Sequence, residues 1–135
     1  MLRICGFHHV SLAAIDLDRA SDWYERVFGF ERILIEEAEN FVTRIVLEHP
    51  EGMLLQLCRP ADLALVMQPA DGVAVLSFRV ASQEDLAAWA VRLTELGVSH
   101  SGPRQAHLGW ALNVTDPSGL RIQLHTYEAI SSDDF

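Results

Sequence analysis

The sequence predicts one α+β domain built from two tandem β-α-β-β-β units. Its 135 residues, half of them hydrophobic and 21% charged, suit a single domain with an extensive core. A turn motif recurs, because residues 49–57 and 116–124 share the pattern x-Pro-x-Gly-x-x-x-Gln-Leu. Upstream, residues 18–24 match residues 84–90, each around a tryptophan. Two matches in the same order, at nearly equal offsets, indicate an internal duplication.

The first unit begins with alternating apolar residues, which predict a strand over residues 7–14. Asp16 then starts a helix, because an acidic side chain there accepts hydrogen bonds from free backbone amides. Apolar residues recur at helical spacing as far as Gly29, which is expected to end the helix. The remaining alternating segments predict three further strands, near residues 31–36, 41–48 and 53–58.

The second unit repeats this order. A strand over residues 73–80 precedes a helix that Ser82 caps and Gly97 ends. Three strands are then expected near residues 99–103, 109–114 and 120–127. The predicted organisation is therefore one domain over residues 1–135, with module 1 at about 5–58, a connector at 59–72, module 2 at about 73–127 and a tail at 128–135.

Composition argues against several classes of partner. Ten basic and nineteen acidic residues give a formal net charge of −9, which is unfavourable for nucleic acid and for anionic membranes. No apolar run approaches the roughly 18 residues of a membrane-spanning helix. The first residues are too short and interrupted to resemble a signal peptide, so we expect a cytoplasmic protein. Cys5 and Cys58 do not form a disulfide framework and are expected to remain thiols.

Alternation also assigns the two faces of each predicted sheet. Leu120, Ile122 and Leu124 should pack under a helix, so the residues between them face the opposite way. Two sheets with helices outside would then enclose a cleft for a small molecule. The residues expected to line it are Phe7, His9, Ser11, Gln56, Cys58, Val75, Ser77, Arg79, Arg121, Gln123 and His125. Trp110, near Arg104 and His107, is a further candidate that could stack on a planar ligand.

The opening segment, residues 8–12, followed by residues 16–19, 23–24 and 27–30, resembles a vicinal oxygen chelate protein. The tail Asp116-Pro117-Ser118-Gly119 with Gln123-Leu124-His125 resembles that superfamily's closing strand. The superfamily includes glyoxalase I, bleomycin-resistance proteins, fosfomycin-resistance enzymes, methylmalonyl-CoA epimerase and extradiol dioxygenases. The resemblance implies paired βαβββ modules with curved mixed sheets, a homodimer and, in many members, a divalent metal in the cleft.

The resemblance assigns the metal-ligand positions to His9, Gln56, Val75 and Gln123. His9 matches the usual ligand, whereas valine replaces a second histidine at position 75 and Gln123 stands where glutamate is usual. A hard divalent ion prefers imidazole and anionic oxygen ligands, and the family uses at least three. The sequence therefore predicts a degenerate metal site and no cofactor. It also disfavours a ring-cleaving dioxygenase, which needs two histidines and a carboxylate around iron.

Two functions remain open, and the sequence does not decide whether the protein is an enzyme. The first is a metal-independent, bleomycin-resistance-like protein that binds a hydrophobic or aromatic molecule and contributes to antibiotic resistance. The second is a glyoxalase-like lyase, isomerase or epimerase that uses His9 as a catalytic base, with a weak or absent metal. Simpler alternatives are a structural His9, glutamines that bond each other, and a packed Cys58 thiol. A protein-interaction module would leave the polar open-face positions unexplained.

Overall fold

A computed structural model describes residues 2–60 and 73–127 of the chain. Most of the predicted connector and all of the predicted tail lie outside the described residues. The chain divides into two compact units, with the boundary between Gln68 and Pro69. Within the described residues, no helix has the length and apolar character needed to cross a membrane.

The two units have the same topology. The first contains β1 (Val10–Ala13), α1 (Leu17–Phe28), β2 (Glu31–Ala38), β3 (Phe41–Glu48) and β4 (Leu54–Cys58). The second contains β5 (Leu76–Val80), α2 (Gln83–Glu95), β6 (Arg104–Ala106), β7 (Gly109–Thr115) and β8 (Arg121–Thr126). The four-stranded sheets have the orders β1-β4-β3-β2 and β5-β8-β7-β6. In each, the first and last strands of the unit pair in parallel, and the other pairs are antiparallel. The predicted α+β class with tandem βαβββ units is confirmed.

Both helices begin and end close to the predicted residues. The Asp16 carboxylate accepts from the Arg19 amide, and Gly29 ends α1 in the left-handed conformation. Ser82 caps α2, because its hydroxyl oxygen accepts a hydrogen bond from the amide of Asp85 at 3.2 Å. These caps satisfy backbone groups that the first and last turns leave without a helical partner.

Each helix covers one face of its own sheet with apolar side chains. In the first unit the fully buried residues include Tyr24, Ile45, Leu47, Leu55 and Leu57. In the second they include Leu86, Leu93, Leu112, Ile122 and Leu124. Most strand residues between these buried positions are half-buried or exposed, as the alternation predicts, and Val46 is an exception because it is buried. Each sheet therefore has a helix-covered face and an opposite face, called the open face below.

The first strand of each unit is shorter than predicted. β1 begins at Val10 rather than residue 7, and β5 begins at Leu76 rather than residue 73. In both cases the parallel partner strand starts just after a turn, so earlier residues have no strand beside them. Phe7 and His9 consequently lie before β1, and Val75 precedes β5 with only its amide bonded to the Arg121 carbonyl.

The predicted position of the second strand in the second unit was wrong. Residues 99–103 contain one isolated bridge, between His100 and Val114, and the regular strand β6 starts at Arg104. Gly102 has a φ of 71°, and its amide donates to the His100 side chain. Pro103 has no amide hydrogen to donate. Regular pairing therefore begins only after this bend.

The repeated Pro-x-Gly motifs form equivalent turns before β4 and β8. In each, the glycine amide donates to the carbonyl three residues earlier, at 2.8 Å for Gly52 and 3.0 Å for Gly119. Asp116 is buried, and its Oδ1 accepts from the amides of Ser118 and Leu120, both at 2.9 Å. His49 takes the corresponding place in the first unit. Its Nδ1 accepts from the Glu51 amide, and its Nε2 donates to the Phe28 carbonyl.

We expect Asp116→Ala to lower the free energy of unfolding by about 2 kcal/mol, because the buried Leu120 amide and the more exposed Ser118 amide lose their acceptor. Asp116→Asn keeps an accepting oxygen at Oδ1, so its free energy of unfolding should fall much less. Denaturant titration of both variants measures the difference. Equal losses would show that the charge of Asp116, rather than its accepting oxygen, stabilises the turn.

Arg32 connects β2 to α1 through three carboxylates on one helix face. Its guanidinium donates to Asp18 at 2.9 Å and to Glu25 at 3.2 Å, and also contacts Asp22. Burial by itself lowers the pKa of Arg32, but the hydrogen bond to Asp18 and the charges of Glu25 and Asp22 outweigh that effect and raise it. The edge strand is thereby held against the helix by a network of charges.

We expect Arg32→Gln to lower the free energy of unfolding by about 1 kcal/mol, since the carboxylates are partly solvated. The loss should shrink in concentrated salt, which screens exposed charges. Arg19→Gln on the same helix is the control, because Arg19 makes no ion pair with another described residue. Urea titrations at low and high salt that gave equal losses for both variants would contradict a role for the network.

Candidate functional site

The open face of the first sheet is largely apolar around one polar row. Parallel pairing places Ser11 beside Gln56, and antiparallel pairing places Val46 on the other side of Gln56. Gln56 and Cys58 are half-buried, and the Cys58 thiol lies 4.0 Å from Gln56 Oε1. Leu34, opposite Val46, is 49% exposed. This face therefore combines apolar area with the Ser11 hydroxyl, the Gln56 amide and the Cys58 thiol, and the Arg44–Glu36 ion pair lies beside Cys58.

The open face of the second sheet has a hydrogen-bonded polar row at the corresponding position. Ser77 donates from its hydroxyl to Gln123 Oε1 at 2.9 Å, and Gln123 Nε2 donates to Asn113 Oδ1 at 3.2 Å. The three residues are neighbours on β5, β8 and β7. The amide of Gln123 is therefore held in one orientation by both neighbouring strands.

Two further rows flank the polar row. The row on one side crosses all four strands of the sheet. Arg79 on β5 pairs with His125 on β8. His125 pairs with Ala111 on β7, and Ala111 pairs with Arg104 on the edge strand β6. On the other side lies Arg121, which is half-buried. His125 Nδ1 contacts the carbonyl of Thr126. Because a carbonyl only accepts, Nδ1 carries the hydrogen and His125 presents Nε2.

His9 lies outside the sheet, in the exposed segment before β1. Its Nδ1 is 2.8 Å from Nδ1 of His8, and the rings meet edge to face at 5.1 Å. One imidazole must therefore donate and the other accept. Phe7, also predicted as a lining residue, is 99% exposed and has no sheet neighbour.

Trp110, a candidate to stack on a planar ligand, does not lie on the open face. The register from Arg104 to Ala106 is continuous with β7, and it places Trp110 on the same face as Leu112 and Val114. That face is covered by α2. The Trp110 amide donates to the Thr126 hydroxyl at 2.9 Å, which fixes this end of β7. The prediction relied on the nearby Arg104 and His107 and did not count alternation from Leu112, which gives Trp110 the helix-covered face.

Gly109 permits this close approach of β7 and β8. A Cβ at position 109 would lie 2.6 Å from the Thr126 hydroxyl oxygen and 2.9 Å from the Thr126 carbonyl oxygen. We expect Gly109→Ala to lower the free energy of unfolding by about 2 kcal/mol and to speed hydrogen exchange at the Trp110 amide. Gly52→Ala is the control, since Gly52 also has a positive φ but open space around it. Equal losses would mean that backbone strain alone, without the collision, explains the effect.

Asn113 is a polar open-face residue that the sequence analysis missed. Its neighbours Leu112 and Val114 are buried, so alternation alone would have placed Asn113 opposite the helix. Arg104, named in the sequence analysis only as a neighbour of Trp110, belongs to the same face through its pairing with Ala111. The open face of the second sheet is therefore richer in polar and cationic groups than predicted.

The residues at the ligand positions implied by the resemblance do not fit a tightly held divalent metal. They offer one imidazole and two neutral amides, and Val75 offers no donor. The Gln123 amide oxygen already accepts from Ser77. Among residues 2–60 and 73–127, no group of three or more His, Cys, Asp or Glu side chains is arranged to hold a metal ion.

The chain belongs to the Glyoxalase/Bleomycin resistance protein/Dioxygenase superfamily, whose family model matches residues 6–124. The expected resemblance to vicinal oxygen chelate proteins is thereby confirmed. The fold agrees, because a glyoxylase/bleomycin resistance protein/dioxygenase domain from Frankia sp. EAN1pec superposes with a TM-score of 0.77. That likeness covers 93% of this chain and all of the other, at 21% sequence identity.

Two curated relatives of this chain are named for different activities. MhqA of Bacillus subtilis strain 168, provisionally named a ring-cleaving dioxygenase, is 31% identical over 103 residues, or 74% of this chain. The match covers 33% of MhqA, so this chain spans about a third of that relative's length. FosB of Bacillus licheniformis, a metallothiol transferase, is 26% identical over 126 residues, which are 92% of this chain and 77% of FosB. Membership in the superfamily is thus compatible with more than one activity.

Proposed function

We propose that this protein binds a hydrophobic or aromatic small molecule without a divalent metal, as a bleomycin-resistance-like member of its superfamily. The donor set is the observation that carries the proposal. His9 is the only imidazole or carboxylate among the implied ligand positions, and Val75 and Gln123 replace the other expected ligands. Homodimer formation, a cytoplasmic location and a role in antibiotic resistance accompany this proposal as predictions.

The open faces of the sheets support a binding role. The helix-covered faces carry the buried apolar residues of the core. Gln56, Gln123 and His125 lie on the opposite faces, where they are half-buried. Small-molecule sites combine apolar area with a few fixed polar groups. Each open face has such groups by itself: Gln56 lies beside Val46 in the first sheet, and Gln123 is fixed by Ser77 and Asn113 in the second.

Metal content tests the metal-independent part of the proposal. We expect purified wild-type protein to contain far less than one transition-metal ion per chain by mass spectrometry. Val75→His combined with Gln123→Glu restores the implied donors and should create measurable zinc or manganese affinity in calorimetry. Val91→His combined with Gln83→Glu makes the same chemical changes on α2 and should create no comparable affinity.

Stoichiometric metal in the wild-type protein, lost in His9→Ala, would overturn the metal-independent proposal.

Ligand binding is then tested by thermal shift with a panel of aromatic metabolites and antibiotics, because a bound ligand raises the apparent stability. A ligand that stabilises metal-free protein would support the proposal, and stabilisation only after metal addition would contradict it.

A lyase, isomerase or epimerase that uses His9 as a base is the second candidate. The favouring observation is the 2.8 Å contact between the Nδ1 atoms of His8 and His9. If His9 donates in that contact, its Nε2 carries a lone pair that could accept a substrate proton. Turnover of any bound compound that disappears in His9→Ala but persists in His8→Ala would favour this enzyme over the binding protein.

A further inference from the structure

The charge of the second sheet differs from that of the chain. The protein carries a formal net charge of −9, yet strands β5 to β8 contain three arginines and no aspartate or glutamate. The carboxylates of the described part of this unit lie on α2, which covers the other face, or at Asp116, whose oxygen is bonded to backbone amides. The open face is therefore locally cationic.

Within residues 2–60 and 73–127, no carboxylate neutralises the arginines of this face. Among the residues that the structure describes, Arg79, Arg104 and Arg121 have no carboxylate within ion-pair distance. Arg79 lies over the Tyr127 ring at 5.9 Å, a contact that orients the guanidinium without cancelling its charge. On the open face of the first sheet, by contrast, Arg44 pairs with Glu36 at 3.7 Å.

The polar row lies between two of these charges. His125 and Arg121 are four residues apart on β8, so their Cα atoms are about 13 Å apart with Gln123 midway. Arg79 lies beside His125 on the neighbouring strand, which places its Cα about 14 Å from that of Arg121. Ser77 and Asn113 use their hydrogen bonds to hold the Gln123 amide. The hydrogens that these bonds leave over, on Gln123 Nε2 and Asn113 Nδ2, are donors. Donors and cations thus occupy the same surface.

We propose that this open face binds the oxyanion of an organic acid, a carboxylate or a phosphate, with Arg79 and Arg121 on either side of the Gln123 row. The inference rests on the proposed small-molecule binding and adds the chemical class of the ligand. Guanidinium groups bind both oxyanions through paired N–H donors, more strongly than neutral donors do. Arg104 and His125 extend the cationic surface toward the edge strand β6.

Binding of three probes that differ only in their polar group tests the inference. Benzoate and phenyl phosphate are the two anions, and benzamide is the neutral match. Calorimetry on the full chain should show that at least one anion binds about tenfold more tightly than benzamide, with an affinity that falls as salt is added. The stronger anion identifies whether the surface prefers a carboxylate or a phosphate.

Arg79→Gln combined with Arg121→Gln should lower the affinity for that anion about tenfold or more and leave the affinity for benzamide unchanged. Arg92→Gln, on the exposed side of α2, is the matched control and should change neither. Thermal unfolding establishes whether each variant is folded. If the double variant does not fold, the single variants Arg79→Gln and Arg121→Gln are measured instead.

Anion affinity that survives the loss of both arginines would overturn the inference. Equal binding of benzoate, phenyl phosphate and benzamide would also overturn it, while leaving a neutral-ligand binding protein intact. Absence of anion binding at millimolar concentration would be a third contradiction. The metal-content experiment is independent of all three, so failure of the proposed function and failure of this inference are distinguishable.

Discussion

Parallel pairing between the first and last strand of each unit is the constraint on which the other features depend. β1 pairs with β4 and β5 with β8, and the intervening helix and hairpin strands have to cross over to allow it. This pairing sets the register that places Ser11 beside Gln56 and Ser77 beside Gln123. The same pairing determines which side chains meet the helix and which face away from it. Both the core and the candidate site are consequences of that register.

Much of the fold and part of the site were predictable because they depend on local sequence. The Pro-x-Gly turns, the helix caps and the alternation in β4 and β8 involve residues close together in the chain. Alternation then placed Gln56, Gln123 and His125 opposite the buried core, as the structure has them. The duplication added information that one unit alone lacks, because it showed that Val75 stands where His9 stands in the first unit.

The features that were not predictable depend on partners distant in sequence. Strand starts at Val10 and Leu76 are decided by where the parallel partner emerges from its turn. The face of Arg104 depends on its pairing with Ala111 across β6 and β7, and Asn113 becomes part of the site only through its hydrogen bond to Gln123. Local patterns carry no information about such pairings, so errors concentrate in the second unit's hairpin and at the strand ends.

The turns before β4 and β8 illustrate how a duplicated element can diverge. A histidine nitrogen accepts the amide hydrogen in one turn, and an aspartate oxygen accepts two in the other, while the backbone hydrogen bonds remain the same. In both turns the side chain of the first residue accepts a hydrogen bond from the amide two residues later, although the residue types differ. Comparison of the two halves by residue identity therefore understates how alike they are, and the likeness is seen when residues are matched by hydrogen-bonding role.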